Sequence, residues 1–184
     1  LISMFVIGEF SSGYIKNIAV THDNRNRLIL SKLPVIALSL LFYCVFNMVL
    51  LSIGYSLLIP EIPFGSFLTL FKILGLYYML YFAVSTAVVA VAVAIRNMTW
   101  ALMISLLWST GIPAYLYALL EMKQRRFLGD VYIKFTRIFA DAFIVARPEL
   151  AQGSEILYII GITVLYTAVW IFLSLFFIKK QDIK

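Results

Sequence analysis

Residues 33–60 read LPVIALSLLFYCVFNMVLLSIGYSLLIP and contain no charged side chain. At ~1.5 Å of rise per residue, the run exceeds the ~20 residues that a helix needs to cross a hydrocarbon core. A helix with no charged face has no side to turn to water, so its natural solvent is lipid. Three more charge-free runs follow, at 73–95, 97–120 and 156–178. Composition agrees: 63% of residues are hydrophobic, 13% are charged, and mean hydropathy is +0.99. A soluble domain carries about 25% charged residues. The sequence therefore predicts an all-α polytopic membrane helix bundle, folded as one transmembrane domain over 1–184.

Outward from the first run, residues 1–8 are also apolar and read as the end of an earlier span. On that reading roughly 60 to 80 residues lie upstream, on the ~20-residue span arithmetic, giving six spans in all. The other reading is an amphipathic N-terminal anchor. A secretory signal would need a basic leading region and a small-residue cleavage site, and residues 1–8 offer neither.

Alternating spans put 9–32, Arg96 and the tail Lys179-Lys180-Gln181-Asp182-Ile183-Lys184 on one side of the membrane. That side collects eight Lys and Arg against seven on the other, so the count that governs orientation is nearly tied. The tight turn at Arg96 and the Lys179-Lys180 stop favour a cytoplasmic placement for that side. The chain is expected in a cell membrane, as a multi-pass bacterial protein.

Two spans carry internal detail. Before 73–95, Lys72 reads as an interfacial anchor whose stem snorkels. The first half of that run is aromatic (Tyr77, Tyr78, Tyr81, Phe82). Its second half, 83–94, is nearly all small, which lets helices approach closely in lipid. In 97–120, Gly111-Ile112-Pro113 predicts a kink or break, because proline lacks a donor and clashes one turn back. The break serves either packing or function.

The stretch 121–155 is predicted to be an extracytoplasmic helical segment. Within 127–143, Phe127, Leu128, Val131, Phe135, Ile138, Phe139, Ala142 and Phe143 recur at helical spacing. Asp130, Lys134, Arg137 and Asp141 form the opposite stripe and make two oppositely charged pairs four residues apart. One amphipathic helix is expected, lying in the outer interface or dipping in beside a neighbour, and ended by Arg147-Pro148. Its apolar residues Phe127, Val131, Phe135, Ile138 and Phe139 would cover the outer mouth or gate it.

Catalytic machinery is not legible. The sequence has no phosphate-binding loop and neither the H-E-x-x-H nor the G-x-S-x-G motif. One histidine, His22, and one cysteine, Cys44, do not begin a zinc site. Cys44 lies among Phe42, Tyr43 and Phe46, where a thiol packs as a small apolar group. No carboxylate lies inside a run to relay protons. The chain is expected not to be an enzyme and to hold no cofactor or metal. A transport role would draw its energy from outside the chain.

The segment 9–32, EFSSGYIKNIAVTHDNRNRLILSK, supplies Glu9, Gly13, Ile15, Lys16, Asn17, Arg25, Ser31 and Lys32 in that order. This order resembles the cytoplasmic coupling segment of permease subunits of type-2 ABC exporters, including the group that exports peptides and antimicrobials. The chain departs from the pattern at His22-Asp23-Asn24, where the family often has a glycine and a small residue. The resemblance implies that Glu9, Gly13, Ile15, Lys16, Asn17, Ile18, Arg25 and Lys32 contact a separate ATPase subunit, which holds the ATP and magnesium. It also implies a homo- or heterodimer of permease chains and an outer helical segment before the last span. Glycine at 13 suits a sharp turn, and Ile15 and Ile18 give a short helix one apolar face. The lack of charge in the spans points to an amphipathic or apolar cargo, a peptide, drug or lipid-like molecule. The bilayer is the other partner, and none is expected among nucleic acids. The rival reading is a membrane scaffold or assembly protein whose basic loop binds anionic lipid or a regulator.

Overall fold

The computed structural model describes residues 29–58, 67–95, 97–128, 134–145 and 153–180. Among them there is no strand. The helices are α1 (Lys32–Leu58), α2 (Phe67–Ile95), α3 (Met98–Ser109), α4 (Ile112–Leu128), a single 3-10 turn (Phe135–Arg137), α5 (Ala140–Val145) and α6 (Ser154–Lys180). Three helices, α1, α2 and α6, are long and apolar enough to cross a membrane, and the bent pair α3–α4 makes a fourth if it counts as one span.

The helix α2 organises the rest. Half of its apolar span is buried inside the protein, against 11% for α1 and 17% for α6. Its most extensive partner is α6, with α1, α5 and α3 also packed on it. The small-residue half does what the sequence predicts: Ala83, Ala87, Ala90, Ala92 and Val93 are fully buried, with Thr86 and Val89 nearly so. In lipid no hydrophobic effect drives helices together, so close backbone approach and dispersion must hold the pair. A stripe of alanines permits that approach.

Two apolar clusters define the two ends of the bundle. The first joins Ile29, Ile36, Val89, Ala92, Val93, Ala101 and Ile178. It gathers the start of α1, the end of α2, the start of α3 and the end of α6, so α2 and α6 run parallel and α1 runs against them. The second joins Leu76, Leu80, Ala83, Ala140, Ile159 and Tyr166, so it gathers the earlier parts of α2 and α6 with α5. Across the α1–α2 contact, the Tyr78 hydroxyl donates to the Ala37 carbonyl at 3.2 Å. Cys44 is buried in α1, as packing requires.

Polar residues within the long helices are spent on their own backbones. Ser85 donates to the Tyr81 carbonyl, Thr86 to Ala83, Thr163 to Ile159, Thr167 to Thr163 and Ser174 to Trp170, at 2.6–2.8 Å. Asn47 does the same with Tyr43 at 2.8 Å. These bonds let hydroxyl and amide groups enter an apolar medium without external partners. The turn from α2 to α3 is tight because Asn97 caps α3, its side-chain oxygen accepting from the amides of Thr99 and Trp100.

Ala87→Leu adds bulk where α2 has no exposed surface. It should destabilise the bundle by roughly 1–3 kcal/mol, read as a lower unfolding temperature in detergent. Phe42→Ala, on the outward face of α1, should change that temperature little. Equal tolerance of both would contradict the packing described.

Candidate functional site

The break in the 97–120 run lies deep. The 12 residues of α3 rise about 18 Å from Asn97, which is about half the length of a spanning helix. There α4 turns away by 61°. The sequence assigns the break to Gly111 and Pro113 together, and the structure divides their roles. Gly111 takes φ 76°, the left-handed conformation that side chains resist. Pro113 sits in the first turn of α4, where its missing N–H has no partner to lose. The backbone is re-satisfied locally, the Thr110 amide donating to Leu106, the Gly111 amide to Trp108, and the amides of Ala114 and Tyr115 to Gly111. Proline therefore starts the second helix, and glycine makes the corner.

Beyond the corner, α4 continues past Leu120 through Glu121, Lys123, Arg125 and Arg126 to Leu128. The single amphipathic helix expected over 127–143 does not form. Phe127 belongs to α4 and is exposed. Lys134 is not helical, residues 135–137 make one 3-10 turn, Ile138 and Phe139 are outside any helix, and α5 starts at Ala140. Two physical causes combine. The sequence after Leu128 opens with glycine and continues with aromatic and β-branched residues, which are poor helix formers. In addition, the Thr136 amide, which a continuous helix would direct to the residue four before it, is donated to the Glu121 carboxylate.

The result is a re-entrant turn, residues 134–145, seated among α2, α4 and α6. The Thr136 amide and hydroxyl both donate to Oε1 of Glu121, at 2.5 and 2.7 Å. One turn earlier on α4, Tyr117 stacks on Phe139 with ring centroids 4.5 Å apart. Phe139 meets the ring of Tyr166 edge-on at 6.4 Å, and Tyr166 lies 12 positions beyond Ser154, about 18 Å along α6. On either side of Phe139 the chain meets α6 at a higher level. The Tyr158 hydroxyl donates to the Arg137 carbonyl at 2.7 Å, and Phe143 contacts the Tyr158 ring at 6.2 Å. Phe139 is thus the deepest point of the turn. Ala140 and Ala142 are buried, and Tyr166, Trp170 and Trp108 extend the aromatic contacts inward.

Of the residues expected to cover or gate the outer mouth, Phe139 is placed in this packing, and Ala142 and Phe143 of the same apolar stripe join it. Phe127 and Ile138 are exposed, the Phe135 side chain is not described, and Val131 lies outside the described residues. Sequence reasoning missed Glu121, Thr136, Tyr117 and Tyr158. The available signal was Glu121 itself, the first charge after a long apolar run. Of the coupling set, Glu9, Gly13, Ile15, Lys16, Asn17, Ile18 and Arg25 lie outside the described residues. Lys32 is described and its side chain is buried at the end of the bundle that holds Ile29 and Ile178. Among the described residues no group of His, Cys, Asp or Glu could hold a metal ion. Comparison with protein-family models, with curated proteins and with solved structures finds no match.

The roles given to the two corner residues separate on substitution. Gly111→Ala forces a side chain into the left-handed region and should cost about 1–2 kcal/mol. Pro113→Ala should be within about 0.5 kcal/mol of wild type, since a first-turn proline breaks no helical bond. Thermal or denaturant unfolding in detergent checks the order, and a larger loss at Pro113 would reverse the assignment.

Proposed function

We propose that this chain is the membrane-spanning subunit of an ATP-driven exporter that moves an amphipathic or apolar cargo out of the cytoplasm. A separate ATPase docks on 9–32, and a second permease chain completes the transporter. The observation that carries the reading is the division of the bundle into two unlike ends. One end holds Ile29, Lys32 and the α2–α3 turn, next in sequence to the segment that resembles a coupling element. The opposite end holds the re-entrant turn 134–145, placed before the last span, where the resemblance asks for an outer helical segment. The outward face of α1, with Leu38, Phe42 and Phe46, is available to lipid or a second chain. In this scheme the chain catalyses nothing, and hydrolysis belongs to the partner.

Coupling is tested at Ile15. If Ile15 and Ile18 seat in an ATPase cleft, their burial contributes about 3–5 kcal/mol before the cost of ordering the loop. Ile15→Asp puts an unpaired charge there. It should weaken ATPase association or uncouple hydrolysis from export, while membrane insertion survives. Lys16→Ala should do less, because a rim charge contributes little. Wild-type assembly and export in Ile15→Asp would leave 9–32 a plain basic loop and favour the scaffold.

Orientation has its own check. Lys134 is exposed on the re-entrant turn. In a Cys44→Ala background, Lys134→Cys should react with an impermeant thiol reagent in intact cells. Reaction only after the membrane is opened would invert the topology.

A further inference from the structure

We propose that residues 134–145 form a removable plug in the Glu121 end of the bundle, and that the Glu121 carboxylate is the latch that holds it shut. This does not depend on the ATPase reading, since it concerns only how the described helices hold the turn.

The first argument is hydrogen-bond accounting. A helix satisfies its own backbone, and the Ser and Thr hydroxyls at 85, 86, 163, 167 and 174 of α2 and α6 bond within their helices as well. An irregular turn seated between spanning helices cannot, and it is tolerated where protein groups meet its backbone. Here those groups are side chains of the neighbours: Glu121 on α4 takes the Thr136 amide and hydroxyl, and Tyr158 on α6 gives its hydroxyl to the Arg137 carbonyl. A single carboxylate oxygen thus collects two donors from the turn, one from its backbone.

The second argument is the shallow grip of the apolar contacts. Among the described side chains of the turn, the buried ones are Ala140 and Ala142, the smallest that can pack. The large ones, Phe139 and Phe143, are half-buried and touch their neighbours as faces and edges of rings. Helix α5 has six residues, too few to hold helical form without its neighbours. The turn is therefore a small unit whose position is set by its packing on α2 and by contacts to α4 and α6. Lifting it parts the contacts of Phe139, Phe143 and Ile144 and frees the Thr136 amide and the Glu121 carboxylate together. Both then require water, so the plug can leave only when water enters that end.

Amide hydrogen exchange of the full chain in lipid nanodiscs, read by mass spectrometry, tests this. Peptides covering 134–145 should exchange by local opening, faster than those of α2 and α6. Glu121→Ala should speed exchange of the 134–145 peptides by at least about tenfold, with α2 and α6 unchanged. Thr136→Val keeps the amide contact and should give a smaller increase, as should Glu121→Gln, which keeps one acceptor oxygen. Wild-type exchange of 134–145 in both Glu121→Ala and Thr136→Val would overturn the latch. An increase shared equally by α2 and α6 would overturn the plug, since it would mean that Glu121 holds the whole bundle together.

Discussion

Close approach of helix backbones at the small-residue half of α2 is the constraint on which the rest depends. Lipid offers no gain for burying one apolar surface against another, so only tight packing distinguishes the bundle from separate helices. The fully buried stretch from Ala83 to Val93 supplies that packing. Because α2 touches both apolar clusters, α1, α3, α5 and α6 all find their place by reference to it. The preceding half stacks Tyr78 on Phe82 and packs both rings against the first cluster.

Legibility followed the medium. Long charge-free runs can be little else than helices in lipid, and the runs at 33–60, 73–95 and 156–178 correspond to α1, α2 and α6 with small shifts at their ends. The buried face within 83–93 was readable for the same reason, since small residues have one main use there. The stretch 127–143 was not. Its spacing satisfies a helical pattern, but periodicity records only which faces are apolar. It carries no information about a carboxylate six positions before Phe127 that captures the Thr136 amide and outbids the helix. The break at Gly111-Ile112-Pro113 was readable as a break, yet its agent was not, because whether a proline falls inside a helix or at its start depends on where its neighbour turns.

The described chain contains two kinds of backbone. In α1, α2 and α6 the backbone is met within each helix, and Ser85, Thr86, Thr163, Thr167 and Ser174 bond there too, while the Tyr78 and Tyr158 hydroxyls reach to neighbouring segments. Between Gly111 and Val145 the backbone is met partly by side chains borrowed from elsewhere, Glu121 for Thr136 and Tyr158 for Arg137. A relative movement of α4 and α6 must therefore either carry the turn with both or part it from one of them. Since α6 belongs to both clusters, a push delivered near Ile178 reaches Tyr158 and Tyr166 through a single continuous helix. The turn at 134–145 packs on α2 and is bonded to α4 through Glu121 and to α6 through Tyr158, so parting it from either helix breaks one of two distinct sets of hydrogen bonds.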